Sequence, residues 1–233
     1  MDYQEIYARH ADRYDALVEA EDCDGNLLPA LESVAPLKGA RVLEVGVGTG
    51  RVTRLVAPLA KSVVGVERSP AMLAIARKHL AKAPHCTLIE GEATRLPVEA
   101  GDADVAIAAW VFGHFRHWMP DGWRDEITRG LDEMRRALTP DGTLVIIETL
   151  GTGSAEPRPP NDSLAEYYTW LEHVHGFTRK AIRTDYRFAD VERAAEVTGF
   201  FFGEDFARRV RDERWARVPE CTGVWSRHLR RPH

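Results

Sequence analysis

The stretch Glu44-Val45-Gly46-Val47-Gly48-Thr49-Gly50 holds the densest concentration of residues that could do chemistry. Glycines at alternate positions let a backbone turn sharply and approach a ligand closely, which a Cβ would prevent. The spacing departs from the G-x-G-x-x-G of dinucleotide sites, because the third glycine falls one residue early and Arg51 stands in its place. That favours a ligand without a pyrophosphate. Glu44 points the same way: a carboxylate at the mouth of such a turn repels phosphates and can attract an ammonium group, directly or through water. Glu67 follows Gly50 by 17 residues, and a carboxylate there can accept hydrogen bonds from both hydroxyls of a ribose. Glu92, in EGEATRLP, supplies a further acid where an adenine amino group can bind, with the Ala93 amide facing a ring nitrogen. Met72, in SPAML, can lay its polarizable sulfur on a purine or simply fill the core.

The elements that must position these residues can be read from periodicity. Residues 41–45 form a short apolar run before the glycine turn, and 51–60 continue as a helix. The order repeats with a strand at 62–66 closed by Glu67, then a helix at 70–82 capped by Ser69 and started by Pro70. Further strands are predicted at 87–90, 104–109 and 144–149, the last reached through a helix at 123–138 and the turn Thr139-Pro140-Asp141-Gly142. Strands alternating with helices argue for a doubly wound α/β fold with a mainly parallel sheet, whose buried strands read as continuous apolar runs such as DVAIAAW and TLVIIET. Helices are expected at 3–20 and 25–35 before this core. After it come a Gly/Pro-rich loop, a helix at 163–175, a possible strand at 178–188, a helical stretch at 190–213 and a last strand at 221–227.

Taken in order, VLEVGVGTG, VVGVERSPAML, EGEATRLP, DVAIAAWVFGHF and LDEMRRALTPDGTLVIIE span residues 40–150, and in them the chain resembles the class I S-adenosylmethionine-dependent methyltransferases. In style it is similar to the group that includes the ubiquinone and menaquinone biosynthesis enzymes. The resemblance implies a Rossmann-like, mostly parallel seven-stranded sheet with an antiparallel C-terminal strand and a helical insertion. It implies one methyltransferase domain over 1–233: a helical cap at 1–36, a cofactor-binding core at 40–150 and an acceptor side at 151–233. Glu44, Gly46, Val47, Gly48 and Gly50 would cradle the methionine part of S-adenosylmethionine. Glu67 would hold the ribose beside Arg68, Glu92 and Ala93 the adenine with Met72, and Ala109 and Trp110 would border the sulfonium. The N-terminal helix closes the site in this family, which makes Tyr14 a candidate contact to the cofactor carboxylate, or else a core staple.

Methyl transfer from a sulfonium is a direct displacement that leaves S-adenosylhomocysteine. Alignment and exclusion of water can supply on the order of 7–11 kcal/mol of the barrier lowering. A general base helps if the acceptor carries a proton, and His114, just past the fourth strand, is the candidate, with His117 close behind; a loop hydrogen bond is the competing reading of both. His173 and His175 sit two apart and face different sides of a helix, so no metal is expected. The acceptor side carries Tyr3, Tyr7, Tyr167, Tyr168, Trp170, Phe200, Phe201, Phe202 and Arg179, which suggests an apolar or planar small molecule unless the phenylalanines only pack the insertion.

A formal charge of −5 disfavours a nucleic-acid partner. The arginines of the C-terminal stretch, Arg208, Arg209, Arg211, Arg214, Arg217, Arg227, Arg230 and Arg231, alternate with Asp212, Glu213 and Glu220 and read as a solvated face and tail. Cys23, Cys86 and Cys221 are too few and too scattered for a disulfide framework, which fits the cytoplasm, and no run is apolar enough to span a bilayer. Two other readings compete: a nicotinamide-dependent oxidoreductase, and a scaffold that binds the cofactor without turnover.

Overall fold

The computed structural model describes residues 3–229, so Arg230 and Arg231 lie outside the described residues. In chain order the elements are α1 (Tyr3–Arg9), α2 (Ala11–Ala20), α3 (Leu27–Glu32), β1 (Arg41–Val45), α4 (Arg51–Val56), β2 (Ser62–Glu67), α5 (Pro70–His79), β3 (Cys86–Glu90) and β4 (Ala103–Ala109). A 3-10 turn (Phe112–His114) leads into α6 (Phe115–Trp118), then α7 (Trp123–Ala137), β5 (Leu138–Thr152), α8 (Asp162–His173), β6 (Thr178–Arg183), β7 (Tyr186–Arg187), α9 (Val191–Phe202), α10 (Glu204–Asp212), β8 (Arg217–Val218) and β9 (Glu220–His228).

The main sheet has seven strands in the order β3-β2-β1-β4-β5-β9-β6. β3, β2, β1, β4 and β5 pair in parallel, and β9 runs antiparallel between β5 and β6. This is the expected doubly wound, Rossmann-like sheet. Alternation along each strand feeds both faces. Leu43, Val45, Ala106, Ala108, Leu144 and Ile146 join α7 and α8 on one side, while Val42, Val105, Ile107, Val145 and Ile147 join α3 and α4 on the other. α7 shows why a charged sequence folds as a helix here: Trp123, Ile127, Leu131 and Met134 recur at helical spacing and are all buried.

Four departures from the sequence reading have physical causes. The first helix is two, broken at His10, whose φ of −132° and ψ of 35° leave the helical region and whose ring packs edge-on against Phe200. α1 can then lean on the start of α5, where the Ser69 hydroxyl donates to the Tyr7 carbonyl at 2.8 Å. The stretch at 190–213 is likewise two helices, parted at Gly203 with φ +96°. The predicted turn at 139–142 is absorbed into a longer β5, whose Leu138 pairs with Ala103 and whose Gly142 carbonyl accepts from the Leu229 amide. The strand looked for at 178–188 is divided between β6 in the main sheet and β7, which pairs with β8.

Candidate active site

The C-terminal ends of β1, β2, β3 and β4 open on one cavity of about 520 Å³, at the position where open α/β sheets bind ligands. Its floor is the glycine turn. Gly46, Gly48 and Gly50 take φ of +73°, +57° and +91°, a region other residues enter at a cost. A Cβ at Gly46 would stand 2.3 Å from Val111 Cγ2, so that glycine is fixed by packing. A Cβ at Gly48 would meet only Tyr14 Cε1, at 3.9 Å, and would fill cavity space instead.

Glu67 stands beside this turn with both oxygens engaged: Gly48 N donates to Oε2 at 3.0 Å and Ser69 N to Oε1 at 2.9 Å. Those amides orient the carboxylate, while burial pushes its pKa up. Trp110, at the tip of β4, has φ +54°, a conformation that costs of order 1–3 kcal/mol in a non-glycine residue. It is held by its amide on the Ile147 carbonyl at 2.7 Å and by the Arg51 guanidinium 4.4 Å over its ring.

A second cavity of about 490 Å³ adjoins the first, and Tyr7, Tyr14, Trp110 and His114 line both. The Tyr7 hydroxyl and His114 Nε2 are 2.9 Å apart, and the His114 ring stacks on Trp118 with centroids 5.0 Å apart. Burial pulls the His114 pKa down to about 4, with His117 adding repulsion, so the ring is neutral at pH 7. The second cavity has an apolar wall from α1, α2 and α9, with Glu21 and Glu220 grouped around Arg51 and Glu148 lining it separately beside Gly113.

A family model described as "Methyltransferase domain" matches residues 43–146. A demethylmenaquinone methyltransferase of Deinococcus radiodurans is 35% identical over 152 residues, which cover 62% of this chain and 59% of that protein. An uncharacterized methyltransferase of Oceanobacillus iheyensis is 27% identical over 64% of this chain and 68% of its own length. Residues 43–146 thus carry a methyltransferase domain, and the chain is similar to the class I S-adenosylmethionine-dependent methyltransferases. Solved structures agree in fold: a methyltransferase of Aquifex aeolicus superposes with a TM-score of 0.56 at 17% identity, covering 86% of this chain and 88% of that one. An N-methyltransferase of Haemonchus contortus bound to S-adenosylhomocysteine gives 0.55 at 18% identity, covering 90% of this chain and 53% of that one. The oxidoreductase reading falls with this result, and S-adenosylmethionine is the cofactor of this methyltransferase.

Of the residues singled out in the sequence, Tyr14, Gly46, Gly48, Glu67, Arg68, Met72, Glu92, Ala93, Ala109, Trp110 and His114 line the first cavity. Three do not. Glu44 is 1% exposed and lies under the turn, where its Oε2 accepts from the Thr53 hydroxyl at 2.5 Å; burial pushes its pKa up to about 8, so it keeps its proton at neutral pH and presents no charge at the mouth. Val47 packs on β2, where it would touch a Cβ at Gly65, and Gly50 backs onto Ala76 of α5. Of the aromatic set, Tyr3, Tyr7, Phe201 and Phe202 face the second cavity, whereas Tyr167 and Tyr168 are core, Phe200 carries Arg13, and Arg179 pairs with Glu172. The acids of the second cavity were missed. Glu148 had a signal, a carboxyl in a buried apolar strand, but Glu220 was hidden among the arginines and read as solvated.

Among the described residues, Asp15, Glu19 and His79 are the one group close enough to share a metal ion. Their partners mark them as an ionic network instead: Arg54 meets Glu19, and His79 reaches both the Thr49 carbonyl and Asp15. No helix among the described residues is long and apolar enough to cross a membrane.

Proposed function

We propose that the first cavity holds the methyl donor, the second holds a small-molecule acceptor, and transfer takes place across the wall that they share. The observation that carries this reading is the pair of adjoining cavities at the strand ends, divided by Tyr7, Tyr14, Trp110 and His114. When bound, S-adenosylmethionine supplies a methyl group that moves by displacement: an acceptor lone pair forms the new bond, the carbon–sulfur electrons stay with sulfur, and any acceptor proton leaves.

The chain's own part is binding and alignment. Glu67 receives the ribose hydroxyls, Glu92 and the Ala93 amide face the adenine edge, and Met72 and Arg68 flank the nucleoside. Gly46 and Gly48 leave room for the methionine part, with Tyr14 above the turn. Glu44, Val47 and Gly50 shape that turn from behind, Glu44 by anchoring α4 through Thr53. A ring held near a pKa of 4 is a weak base at neutral pH. His114 is therefore assigned to positioning: it fixes Tyr7 in the dividing wall, and Trp118 stacked behind it helps exclude water. On this reading residues 1–233 work as one catalytic domain.

Calorimetry with S-adenosylhomocysteine and transfer of a labelled methyl group into a metabolite extract test the proposal together. Binding plus a labelled small product supports it. Absence of binding refutes the donor site, and binding without any product favours a silent scaffold.

A further inference from the structure

The second cavity has more acid than its cations can balance. Arg51 is met by Glu21 at 2.5 Å and by the Trp110 ring, its Nη2 has no hydrogen-bond partner, and its one positive charge faces both Glu21 and Glu220. Arg116 turns away to Ser163 and Glu166. Glu148 and Glu220 make no ion pair among the described residues. Glu148 Oε1 accepts from Gly113 N at 2.9 Å, with the Tyr167 hydroxyl beside the carboxyl. Glu220 is 1% exposed. Its Oε1 accepts from the Thr149 hydroxyl at 2.7 Å, and its Oε2 has no hydrogen-bond partner of good geometry, the Thr152 hydroxyl lying nearby. Glu21 Oε1 is in the same position, with Tyr186 nearby.

Burying a carboxyl without a counter-charge is costly, and such groups keep their protons until a partner arrives. Glu148 and Glu220 are both pushed up to about 8 by burial. The rest of the wall is apolar: Tyr3, Leu17, Val18, Leu164, Phe201 and Phe202. A carboxylate or phosphate on the acceptor would find Arg51 already paired with Glu21 and would hold Glu220 in its protonated form. A neutral hydroxyl would gain a hydrogen bond alone, whereas an ammonium gains charge pairing as well, and aromatic faces nearby favour a cation further.

We infer that the acceptor is a small organic amine, its ammonium group seated against Glu220 with Glu21 adding to the field, its apolar body lying along Tyr3, Leu17 and Phe201, and its nitrogen shedding a proton to water before the freed lone pair takes the methyl group. The inference rests on the assignment of this cavity to the acceptor and narrows it to one substrate class.

Phenethylamine, phenethyl alcohol and phenylpropionate, titrated calorimetrically into the full chain saturated with S-adenosylhomocysteine, test it directly. The amine should bind about tenfold or more tighter than either of the others, and Glu220→Gln should erase that preference while leaving alcohol and S-adenosylhomocysteine binding unchanged. Equal binding of the three, a preference for the alcohol or the acid, or binding by none of them overturns the inference. If Glu220→Gln does not fold, the ranking on the natural chain decides alone. S-adenosylhomocysteine binding is read first, so loss of the donor site and failure of amine recognition give separate signatures.

Discussion

Glu67 and Gly48 are bound to one another, and this makes the donor cavity sensitive at single side chains. The Gly48 amide donates to Glu67 at 3.0 Å, so the carboxylate that lines the first cavity also holds the turn beneath it. Glu67→Ala is expected to weaken S-adenosylhomocysteine by roughly 1–3 kcal/mol, the usual range for losing hydrogen bonds to a charged group, and calorimetry would show it as a higher Kd. Gly48→Val should abolish binding altogether, because its side chain enters the cavity and the left-handed turn resists a β-branched residue, and circular dichroism checks that the fold survives. His114→Gln separates two roles: a positioning residue predicts a turnover loss under about tenfold, whereas removal of a true general base typically costs 10²–10⁴. A pH profile of the same shape in the variant and the natural enzyme would go with the first outcome, and a limb lost with the ring would go with the second.

At the scale of elements, α8 and α9 hold their starts by single side chains. Asp190 accepts from Arg193 N at 2.8 Å and Asn161 from Leu164 N at 2.9 Å. Asp190→Ala should destabilise the protein by about 1 kcal/mol, the normal value of such a cap, measured by urea unfolding; an unchanged midpoint would show that α9 is held by packing alone. The same comparison explains what could be read in advance. β1, with its glycine turn and Glu67, was legible because tight turns and strand ends demand particular residue types within a few positions. α7 was legible because its apolar stripe is local. The break at His10 was not, since nothing in its neighbourhood requires it and the ring it packs against, Phe200, lies far along the chain. The meeting of Glu21 and Glu220 was illegible for the same reason, because only the tertiary fold brings the end of α2 to the start of β9.

The molecule as a whole carries several buried ionisable groups whose shifts oppose each other across the pH scale. Glu44, Glu148 and Glu220 have pKa values raised to about 8. The native state therefore holds protons that the unfolded chain releases above its ordinary carboxyl pKa. Their contribution is complete at acid pH and is lost as pH rises towards and through 8. His114 and His175 are pulled down to about 4, so their contribution is present above the ordinary histidine pKa and fades as pH falls through 4. The unliganded protein should lose thermal stability between about pH 5 and 8 in proportion to the three acids, and Glu44→Gln, outside both cavities, should flatten that slope. A Tm that rises over the same interval in the natural chain would contradict the burial argument.

The placement of β9 between β5 and β6 bears on how the chain comes to be built. β6 is synthesised well before the strand it must bond to, and Glu220 opens that late strand. The end of the second cavity that holds Glu220 is therefore set only after the strands that line the first cavity have been made.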